Sequence, residues 1–237
     1  MSKRAIILAG GKGTRLYPYT IVFPKPLMPI GAYPILEVVV RQLVHAGFSH
    51  ITMAVNHQAE LIRAFFGSGE KWGISIDYSL EDSPLGTIGP LRLIKDLPED
   101  FLVMNGDILT DLDFAAFHDA HISSLRLFTI SSYLRKQFID YGLLETDNNG
   151  CLTGFKEKPH KEYEVSMGIY MVNRKVLDIV PKGITYGFDS LMFDLLASKR
   201  KVAVHAFSGY WLDIGRPDDY VQATKEFESM KSRFIHD

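Results

Sequence analysis

The stretch Ala5-Ile6-Ile7-Leu8-Ala9-Gly10-Gly11-Lys12-Gly13-Thr14-Arg15-Leu16 lies near the start of the chain. Residues 5–8 are an apolar run of strand length that leads directly into glycines, which predicts a buried strand followed by a turn. The glycines let the backbone approach a bulky ligand and offer its N–H groups to phosphate oxygens. Arg15 adds a planar guanidinium that suits a phosphate. The stretch therefore predicts a phosphate-binding turn at the end of a strand.

This turn differs from two common phosphate-binding motifs. The dinucleotide fingerprint would require a glycine where the chain has Leu16, and a P-loop would require Gly-Lys-Ser/Thr after four spacer residues. For two adjacent glycines alone, a flexible turn without a ligand is an equally good interpretation.

The pattern of strand and helix continues through the first half of the chain. Helices are predicted at residues 35–46, 59–66, 87–97 and 114–121, and strands at residues 50–55, 74–80 and 101–104. This alternation indicates βαβ crossovers and a parallel sheet with helices on both faces. Ligands of such sheets bind at the carboxyl ends of the strands. That rule directs attention to residues 10–15, Asn56, Glu81 and residues 105–107.

The second half is richer in strands. They are predicted at residues 126–133, 141–146, 152–156, 165–172 and 202–207, with a turn at Asp147-Asn148-Asn149-Gly150 and a final helix at residues 217–230. No linker or repeat divides the chain. We therefore expect an α/β fold in one domain, residues 1–237: a Rossmann-like three-layer α/β/α arrangement around a mixed sheet, with a small added β lobe.

Composition excludes several classes of protein. The 237 residues are 46% hydrophobic and 23% charged, as in an ordinary globular protein, which excludes a disordered chain. A net charge of -2 argues against nucleic acid as a partner. The single cysteine excludes an internal disulfide and a Cys-rich zinc site. No apolar run is long enough for a membrane span or a signal peptide, so the expected location is cytoplasmic, without a membrane partner.

A second motif, Phe23-Pro24-Lys25-Pro26-Leu27, follows the glycine turn. A lysine between two prolines lies on stiff backbone, which limits the entropy lost when its ammonium is held against an anion. Alone, Lys25 would be better explained as a surface lysine in a loop.

Together, the two motifs resemble the signature of the sugar-1-phosphate nucleotidyltransferases, and the resemblance continues to the segment Trp211-Leu212-Asp213-Ile214-Gly215. It is strongest to mannose-1-phosphate guanylyltransferases. It implies a nucleotide-binding half at about residues 1–125 and a sugar-binding half at about 126–237. It also implies that Arg15 and Lys25 are catalytic, holding the triphosphate and the charge that develops at the α-phosphorus. The implied nucleotide-binding residues are Leu8, Ala9, Gly10, Gly11, Gly13, Thr14, Glu81, Pro84, Gly86, Thr87, Asn105 and Gly106.

The resemblance further implies that Asp107 and Asp213 hold a catalytic Mg²⁺. Asp107 ends a predicted buried strand, and two carboxylates with phosphate oxygens and waters suit this ion. Asp111-Leu112-Asp113 is a competing pattern, because many glycosyltransferases use Asp-x-Asp to hold a metal. Asp113 also fits a helix N-cap, which is the preferred interpretation.

Glu81 occupies the position of a base-reading glutamine in many thymidylyl and uridylyl members of the family. A carboxylate only accepts hydrogen bonds, and guanine presents N1–H and N2–H₂ as adjacent donors. GTP is therefore the expected nucleotide. A thymidylyltransferase-type enzyme using dTTP or UTP is the alternative, as is a Glu81 that points to solvent.

The resemblance places the sugar 1-phosphate at Gly142, Glu157, Lys158, Ser166 and Gly168. Ser166-Met167-Gly168 stands where the family commonly has Asn-Ala-Gly, so the sugar is expected to be mannose or a related hexose or heptose. The chain is expected to hold only the transferase core, and a homo-oligomer is compatible with it. A non-catalytic regulatory subunit is a further alternative, although such proteins tend to lose the residues corresponding to Lys25, Asp107 or Asp213.

Overall fold

The structure is a computed structural model that describes residues 3–11, 13–56 and 58–236. The strands, numbered in chain order, are β1 (Lys3–Leu8), β2 (Pro29–Ile30), β3 (Tyr33–Pro34), β4 (Phe48–Val55), β5 (Ser75–Leu80), β6 (Asp100–Asn105), β7 (Ile108–Thr110), β8 (Phe128–Phe138), β9 (Leu143–Thr146), β10 (Leu152–Lys156), β11 (His160–Asn173), β12 (Ala203–Phe207) and β13 (Trp211–Asp213). The helices are α1 (Ile35–His45), α2 (Ala59–Phe66), α3 (Phe114–Ser124), α4 (Phe188–Ala197) and α5 (Pro217–Phe234). Within the described residues, none of the helices is both long and apolar enough to span a bilayer.

Seven strands form the central sheet in the order β12-β8-β11-β6-β1-β4-β5. β1 pairs in parallel with both β4 and β6, β4 with β5, and β8 with β12. β11 runs antiparallel between β6 and β8. The predicted mixed α/β sheet is therefore confirmed, and the carboxyl ends of β6, β1, β4 and β5 lie side by side at one edge.

Helices cover both faces of this sheet. β1 shows why, since Ala5 and Ile7 belong to one buried cluster and Ile6 to another, so that the strand must be apolar throughout. The first cluster contains side chains of α1, α2 and α3, and the second contains side chains of α4. The three-layer arrangement predicted from the sequence is confirmed.

A third buried cluster fixes the C-terminal part of the chain against the first half. Phe227 and Phe234 of α5 pack there with Ile35 and Val38 of α1 and with Ile214. The short strand β13 pairs with β7, with Asp213 opposite Ile108. This packing carries the segment that follows Trp211 to the edge of the sheet where β6 ends.

The small β lobe consists of two parts. β8 and β11 continue beyond the central sheet as a two-stranded ribbon, paired from His160 with Phe138 to Ser166 with Ser132. The hairpin β9–β10 forms a separate sheet. Its turn is the predicted one, because Asp147 accepts hydrogen bonds from the backbone N–H groups of Asn149 and Cys151.

One predicted helix was wrong, and one helix was missed. Residues 87–97 contain only a 3-10 turn at Gly89–Leu93, and the N–H groups of Ile88 and Gly89 donate to the carbonyl of Tyr186. α4 was not predicted at all. Its N-terminus depends on a distant side chain, since the Phe188 N–H donates to the Thr87 hydroxyl at 2.8 Å.

A buried histidine gives the fold a pH dependence. His121 of α3 is 1% exposed and contacts Thr129 at 2.7 Å and Asp100 at 3.1 Å. Burial lowers its pKa, and Asp100 acts in the opposite direction. The unfolded chain therefore binds a proton at a higher pH than the folded chain, and stability falls as the pH drops below about 6.5, the ordinary histidine value.

We expect His121→Gln to reduce this acid sensitivity. Urea unfolding at about pH 8 and about pH 5.5 measures the stability lost by each protein on acidification. The wild type should lose more than the variant, and the exposed-site control His160→Gln should behave like the wild type. Equal losses in the wild type and His121→Gln would contradict the prediction.

Candidate active site

The glycine turn is built on a left-handed residue. Gly13 has φ of 62° and precedes the 3-10 turn Thr14–Leu16. A Cβ at Gly13 would lie 2.9 Å from the Thr20 Cγ2, and the Thr20 hydroxyl donates to the Gly13 carbonyl at 2.8 Å. Gly13 therefore allows both the left-handed backbone and the close approach of Thr20. Gly11 has no neighbour within 4 Å of a Cβ position, and Lys12 lies outside the described residues.

Lys25 is not a surface lysine. It is 8% exposed and begins the 3-10 turn Lys25–Leu27 after Pro24. Its ammonium forms an ion pair with the carboxylate of Asp107, which lies two residues after the end of β6. The motif lysine therefore lies at the carboxyl edge of the sheet, where the topology places ligands.

Asp107 and Asp213 are close together. The Ile214 N–H donates to the Asp107 carbonyl at 3.1 Å, next to the pairing of β7 with β13. Burial raises the pKa of the Asp213 carboxyl, and the negative charge of Asp107 raises it further, while Lys25 and Arg15 lower it. Two like charges in a half-buried position favour a cation between or beside them.

Arg15 approaches Asp213 from the glycine turn. A Cβ at Gly215 would be 3.5 Å from the Asp213 Oδ2, 3.6 Å from the Arg15 Nη1 and 3.6 Å from the Asp219 Oδ2. The three charged groups therefore surround the position that a Cβ of residue 215 would occupy, and this position is open because the residue is glycine. Asp219 was not among the predicted site residues. The sequence Pro217-Asp218-Asp219 indicated only a helix N-terminus, where the Asp219 Oδ2 does accept the Arg216 N–H at 2.8 Å.

The residues present fit a magnesium ion. Among the described residues, no group of three or more His, Cys, Asp and Glu side chains is arranged to hold a metal. A closed cage such as zinc prefers is therefore not found in that part of the chain. Two carboxylates with open positions for water and phosphate oxygens suit Mg²⁺, which seldom has an all-protein cage.

Glu81 lies across the glycine turn from these charges. One oxygen, Oε2, accepts the Leu85 N–H at 3.1 Å, and the other, Oε1, is 3.4 Å from the Cβ position of Gly10. Burial raises the Glu81 pKa, and the Leu85 hydrogen bond opposes that shift. Asn56, at the end of β4, donates to the Gly10 carbonyl. Glu81 is thus held with one oxygen directed towards the turn.

The segment after Glu81 is fastened to the start of α4. The Pro84 carbonyl accepts the Thr185 hydroxyl at 2.8 Å, and the Thr87 hydroxyl accepts the Phe188 N–H. Gly86 has φ of 81°, and a Cβ there would lie 2.7 Å from the Tyr186 carbonyl oxygen. In this structure these predicted nucleotide-binding residues hold the Glu81 loop in place.

Asn105 and Gly106 connect the glycine turn to β11. The Gly106 N–H donates to the Leu8 carbonyl at 3.0 Å, immediately before Ala9 and the glycines. The pairing of β11 with β8 shifts register between Ser166 and Tyr170, and Gly168 in this bulge has φ of 74°. A Cβ at Gly168 would come 2.6 Å from the Asn105 Nδ2, so glycine is required for the close packing.

The predicted sugar residues fall into two groups. Ser166 and Gly168 lie at the bulge, with Gly168 beside Asn105, whereas Gly142, Glu157 and Lys158 lie just outside β9 and β10, at the open end of the hairpin. A Cβ at Gly142 would be 3.4 Å from the Glu157 Oε2, and the Lys158 ammonium forms a 3.1 Å ion pair with exposed Asp140.

A cleft of about 890 Å³ lies between the ribbon of β8 and β11 and the start of α5. Its described lining includes Arg15, Asp213, Trp211, Tyr163 and Arg216 but none of the five predicted sugar residues. The structure therefore brings Arg15 and Asp213 to a cleft, and leaves the hairpin outside its lining.

The competing Asp-x-Asp pattern has structural roles. Asp113 caps α3, since its carboxylate accepts the Ala116 N–H at 2.9 Å, as predicted. Asp111 forms an ion pair with Arg233 of α5 and accepts the Tyr210 N–H at 2.6 Å. Both carboxylates are thus occupied by protein groups.

Several proteins of known sequence are similar to this chain. The chain is 34% identical over 225 residues to the mannose-1-phosphate guanylyltransferase catalytic subunit beta of Drosophila pseudoobscura pseudoobscura, covering 92% of this chain and 60% of that protein. It is also 34% identical over 242 residues to the UTP–glucose-1-phosphate uridylyltransferase of Synechocystis, covering 94% of this chain and 62% of that protein. The chain therefore spans about 60% of the length of these relatives.

A solved structure agrees in fold. The structure of HddC from Yersinia pseudotuberculosis complexed with GMP-PN superimposes with a TM-score of 0.72 at 25% identity, covering 95% of this chain and 99% of that one. The family model described as nucleotidyl transferase matches residues 4–230. This match runs from β1 into α5 and includes the glycine turn and both aspartates, so the chain belongs to the nucleotidyl transferase family.

Proposed function

We propose that this protein transfers a nucleotidyl group from a nucleoside triphosphate to a sugar 1-phosphate, giving a nucleotide sugar and pyrophosphate. The proposed nucleoside triphosphate is GTP. The observation that carries the proposal is the convergence of Arg15, Lys25, Asp107 and Asp213 at the carboxyl edge of the sheet. The relatives named for guanylyl and uridylyl transfer to sugar 1-phosphates support it. We propose that one domain does this, with the nucleotide on the first half and the sugar on the second.

The chemistry needs no covalent enzyme intermediate. An oxygen of the sugar phosphate attacks the α-phosphorus, the new P–O bond forms, and the bond to the bridging oxygen of the β-phosphate breaks as pyrophosphate leaves. The nucleophile is already an anion, so the protein contributes positioning and charge stabilisation. Arg15 and Lys25 hold the phosphates from the glycine-turn side, and burial strengthens the electrostatic effect of Lys25.

Asp107 and Asp213 would hold Mg²⁺. When bound, this ion neutralises charge on the phosphates. Because Lys25 pairs with Asp107, the same aspartate would orient the ammonium and ligate the ion. Lys25 then has a fixed position relative to the metal site before any substrate arrives.

Glu81 is the residue proposed to select guanine. Its Oε1 is directed towards the glycine turn, and its Oε2 keeps a second lone pair after accepting the Leu85 N–H. The carboxylate can therefore accept both N1–H and N2–H₂ of guanine. Uracil would present a carbonyl oxygen to one of these acceptors, which is repulsive.

The variant Glu81→Gln should change the nucleotide preference. An amide offers one acceptor and one donor, so we expect kcat/KM for GTP to fall about 10- to 100-fold and the preference to move towards UTP or dTTP. Steady-state rates with each triphosphate measure this. Glu99→Gln, the same change at an exposed glutamate outside the groove, is the matched control and should keep the wild-type order of triphosphates. An unchanged GTP preference in Glu81→Gln would show that another group reads the base.

For the sugar 1-phosphate, we propose that Glu157 accepts from sugar hydroxyls beside Gly142 and that Lys158 meets the phosphate. Both residues lie on the hairpin, and Lys158 can exchange its exposed partner Asp140 for a dianion at small cost. Gly168 packs next to Asn105, and Ser166 lies at the same bulge of β11. Mannose 1-phosphate and related hexose or heptose 1-phosphates are the proposed substrates.

Pyrophosphate release tests the whole proposal. The five common nucleoside triphosphates would be assayed with Mg²⁺ against the 1-phosphates of mannose, glucose, glucosamine and D-glycero-D-manno-heptose. We expect release with GTP and one preferred sugar. Release with only UTP or dTTP would keep the reaction and reject the assignment of Glu81, and no release with any pair would reject the reaction for this set of substrates.

A further inference from the structure

A groove at the carboxyl ends of β4 and β5 is separate from the cleft at Asp213. Its volume is about 820 Å³, and it is lined by Asn56, Ala59, Glu60, Arg63, Leu80, Glu81, Asp82, Ser83 and Pro84. β5 is three strands from β6, about 14 Å at ordinary spacing. A nucleotide whose phosphates lie near β6 and β1 would therefore place its base at this groove.

Among the described residues that line the groove, Arg63 is the one with a positively charged side chain. It lies one helical turn after Ala59 on α2, so its side chain and the start of the helix lie on the same side. Its guanidinium lies over the ring of Tyr78 on β5, 5.0 Å from the centroid. The Tyr78 hydroxyl is held in turn by the Gly67 carbonyl at 2.7 Å. This stacking orients the guanidinium and limits its conformational freedom.

The Tyr78 ring is the partner of the guanidinium. Among residues 3–11, 13–56 and 58–236, no hydrogen bond or ion pair joins the guanidinium to Glu60, Glu81 or any other side chain. Arg63 and Glu81 therefore line one groove without neutralising each other. The groove thus offers the five N–H donors of Arg63 and the carboxylate acceptor of Glu81.

We propose that Arg63 reads the O6 and N7 atoms of guanine while Glu81 accepts from N1–H and N2–H₂, an inference that rests on the proposed nucleotide site. The bidentate arginine contact to O6 and N7 is the commonest specific contact to guanine. The two side chains would then cover the complete hydrogen-bonding edge of the base.

This pair of groups also rejects the other bases. Adenine keeps N7 as an acceptor for Arg63, but it presents its amino group where guanine has O6 and the N1 acceptor to Glu81, so it has one repulsive contact at each residue. Cytosine likewise presents an amino group and an acceptor. Uracil satisfies Arg63 with O4 and Glu81 with N3–H, but its O2 opposes the carboxylate. Selection of guanine is therefore a property of the two residues together.

Equilibrium binding tests this role independently of turnover. Calorimetry would measure the Kd of GTP and of 7-deaza-GTP, which lacks N7, for the wild type and for Arg63→Ala. We expect the wild type to bind 7-deaza-GTP about 10-fold more weakly than GTP. Arg63→Ala should bind GTP about 10-fold more weakly and no longer distinguish the two nucleotides. Arg200→Ala, an exposed arginine outside the groove, is the control and should behave like the wild type.

Inosine triphosphate separates the two readers, because it keeps O6 and N7 and lacks only the N2 amino group. Arg63→Ala should retain the preference for GTP over inosine triphosphate, which reports on Glu81 and shows that the base site is still formed. Equal discrimination of 7-deaza-GTP by wild type and Arg63→Ala, or no binding of GTP by the wild type, would overturn the inference. GTP binding with the expected pattern but no pyrophosphate release would instead reject the proposed function and keep Arg63 as a base reader.

Discussion

Lys25→Ala is expected to lower turnover about 100- to 1,000-fold and to change GTP binding only a few-fold. Removing a single preorganised group that stabilises transition-state charge has an effect of this size. Lys25 qualifies because it is 8% exposed, lies between prolines and is fixed by Asp107. Its contribution grows as charge develops at the α-phosphorus, while Arg15 and the glycine turn still bind the triphosphate in the ground state.

The experiment compares kcat from pyrophosphate release with Kd from calorimetry for the same preparation. Lys201→Ala, an exposed lysine just before β12, is the matched control and should retain wild-type turnover. Thermal unfolding establishes that the variant is folded. Wild-type turnover in a folded Lys25→Ala protein would remove Lys25 from the catalytic machinery, and a loss of GTP affinity equal to the loss of turnover would make it a binding residue only.

Asp213→Asn is expected to reduce turnover by more than about 100-fold, since even partners of metal ligands contribute 10- to 100-fold. The amide keeps the shape of the side chain and removes the charge that would hold Mg²⁺ with Asp107. The folded protein should not be weakened, because burial and the neighbouring Asp107 already disfavour the charged carboxylate. The loss of activity should therefore occur without a loss of stability.

Magnesium-dependent stabilisation provides a second readout. With nucleotide bound, Mg²⁺ at about 100 times its Kd should raise the free energy of unfolding of the wild type by about 2.7 kcal/mol. The increase should be much smaller for Asp213→Asn. Asp218→Asn is the control, because Asp218 is exposed in the first turn of α5 and lies only five residues away. A magnesium response in Asp213→Asn equal to that of the wild type would show that Asp213 is not a ligand.

The sequence predicted the first half of the fold well because its information is local. Residues 5–8, 50–55 and 101–104 are strands buried on both faces, and such strands must be continuously apolar. The helix at residues 87–97 was predicted wrongly and α4 was missed. In both cases the backbone is held by a partner about a hundred residues away: Tyr186 holds the start of residues 87–97, and Thr87 holds the start of α4. Hydrophobic periodicity within a short stretch of sequence does not report such distant contacts.

The sequence by itself also indicated which residues to examine. Residue types and spacing pointed to the glycine turn with Arg15, and the resemblance to a known family implied roles for Lys25, Asp107, Glu81 and Asp213. Only the tertiary structure decided which of them meet. It buried Lys25 against Asp107, brought Asp213 beside both through the pairing of β13 with β7, and placed Arg63 in the groove with Glu81. The physical reason is that a side chain's identity is fixed by its own position in the chain, whereas its partners are fixed by packing between segments distant in sequence.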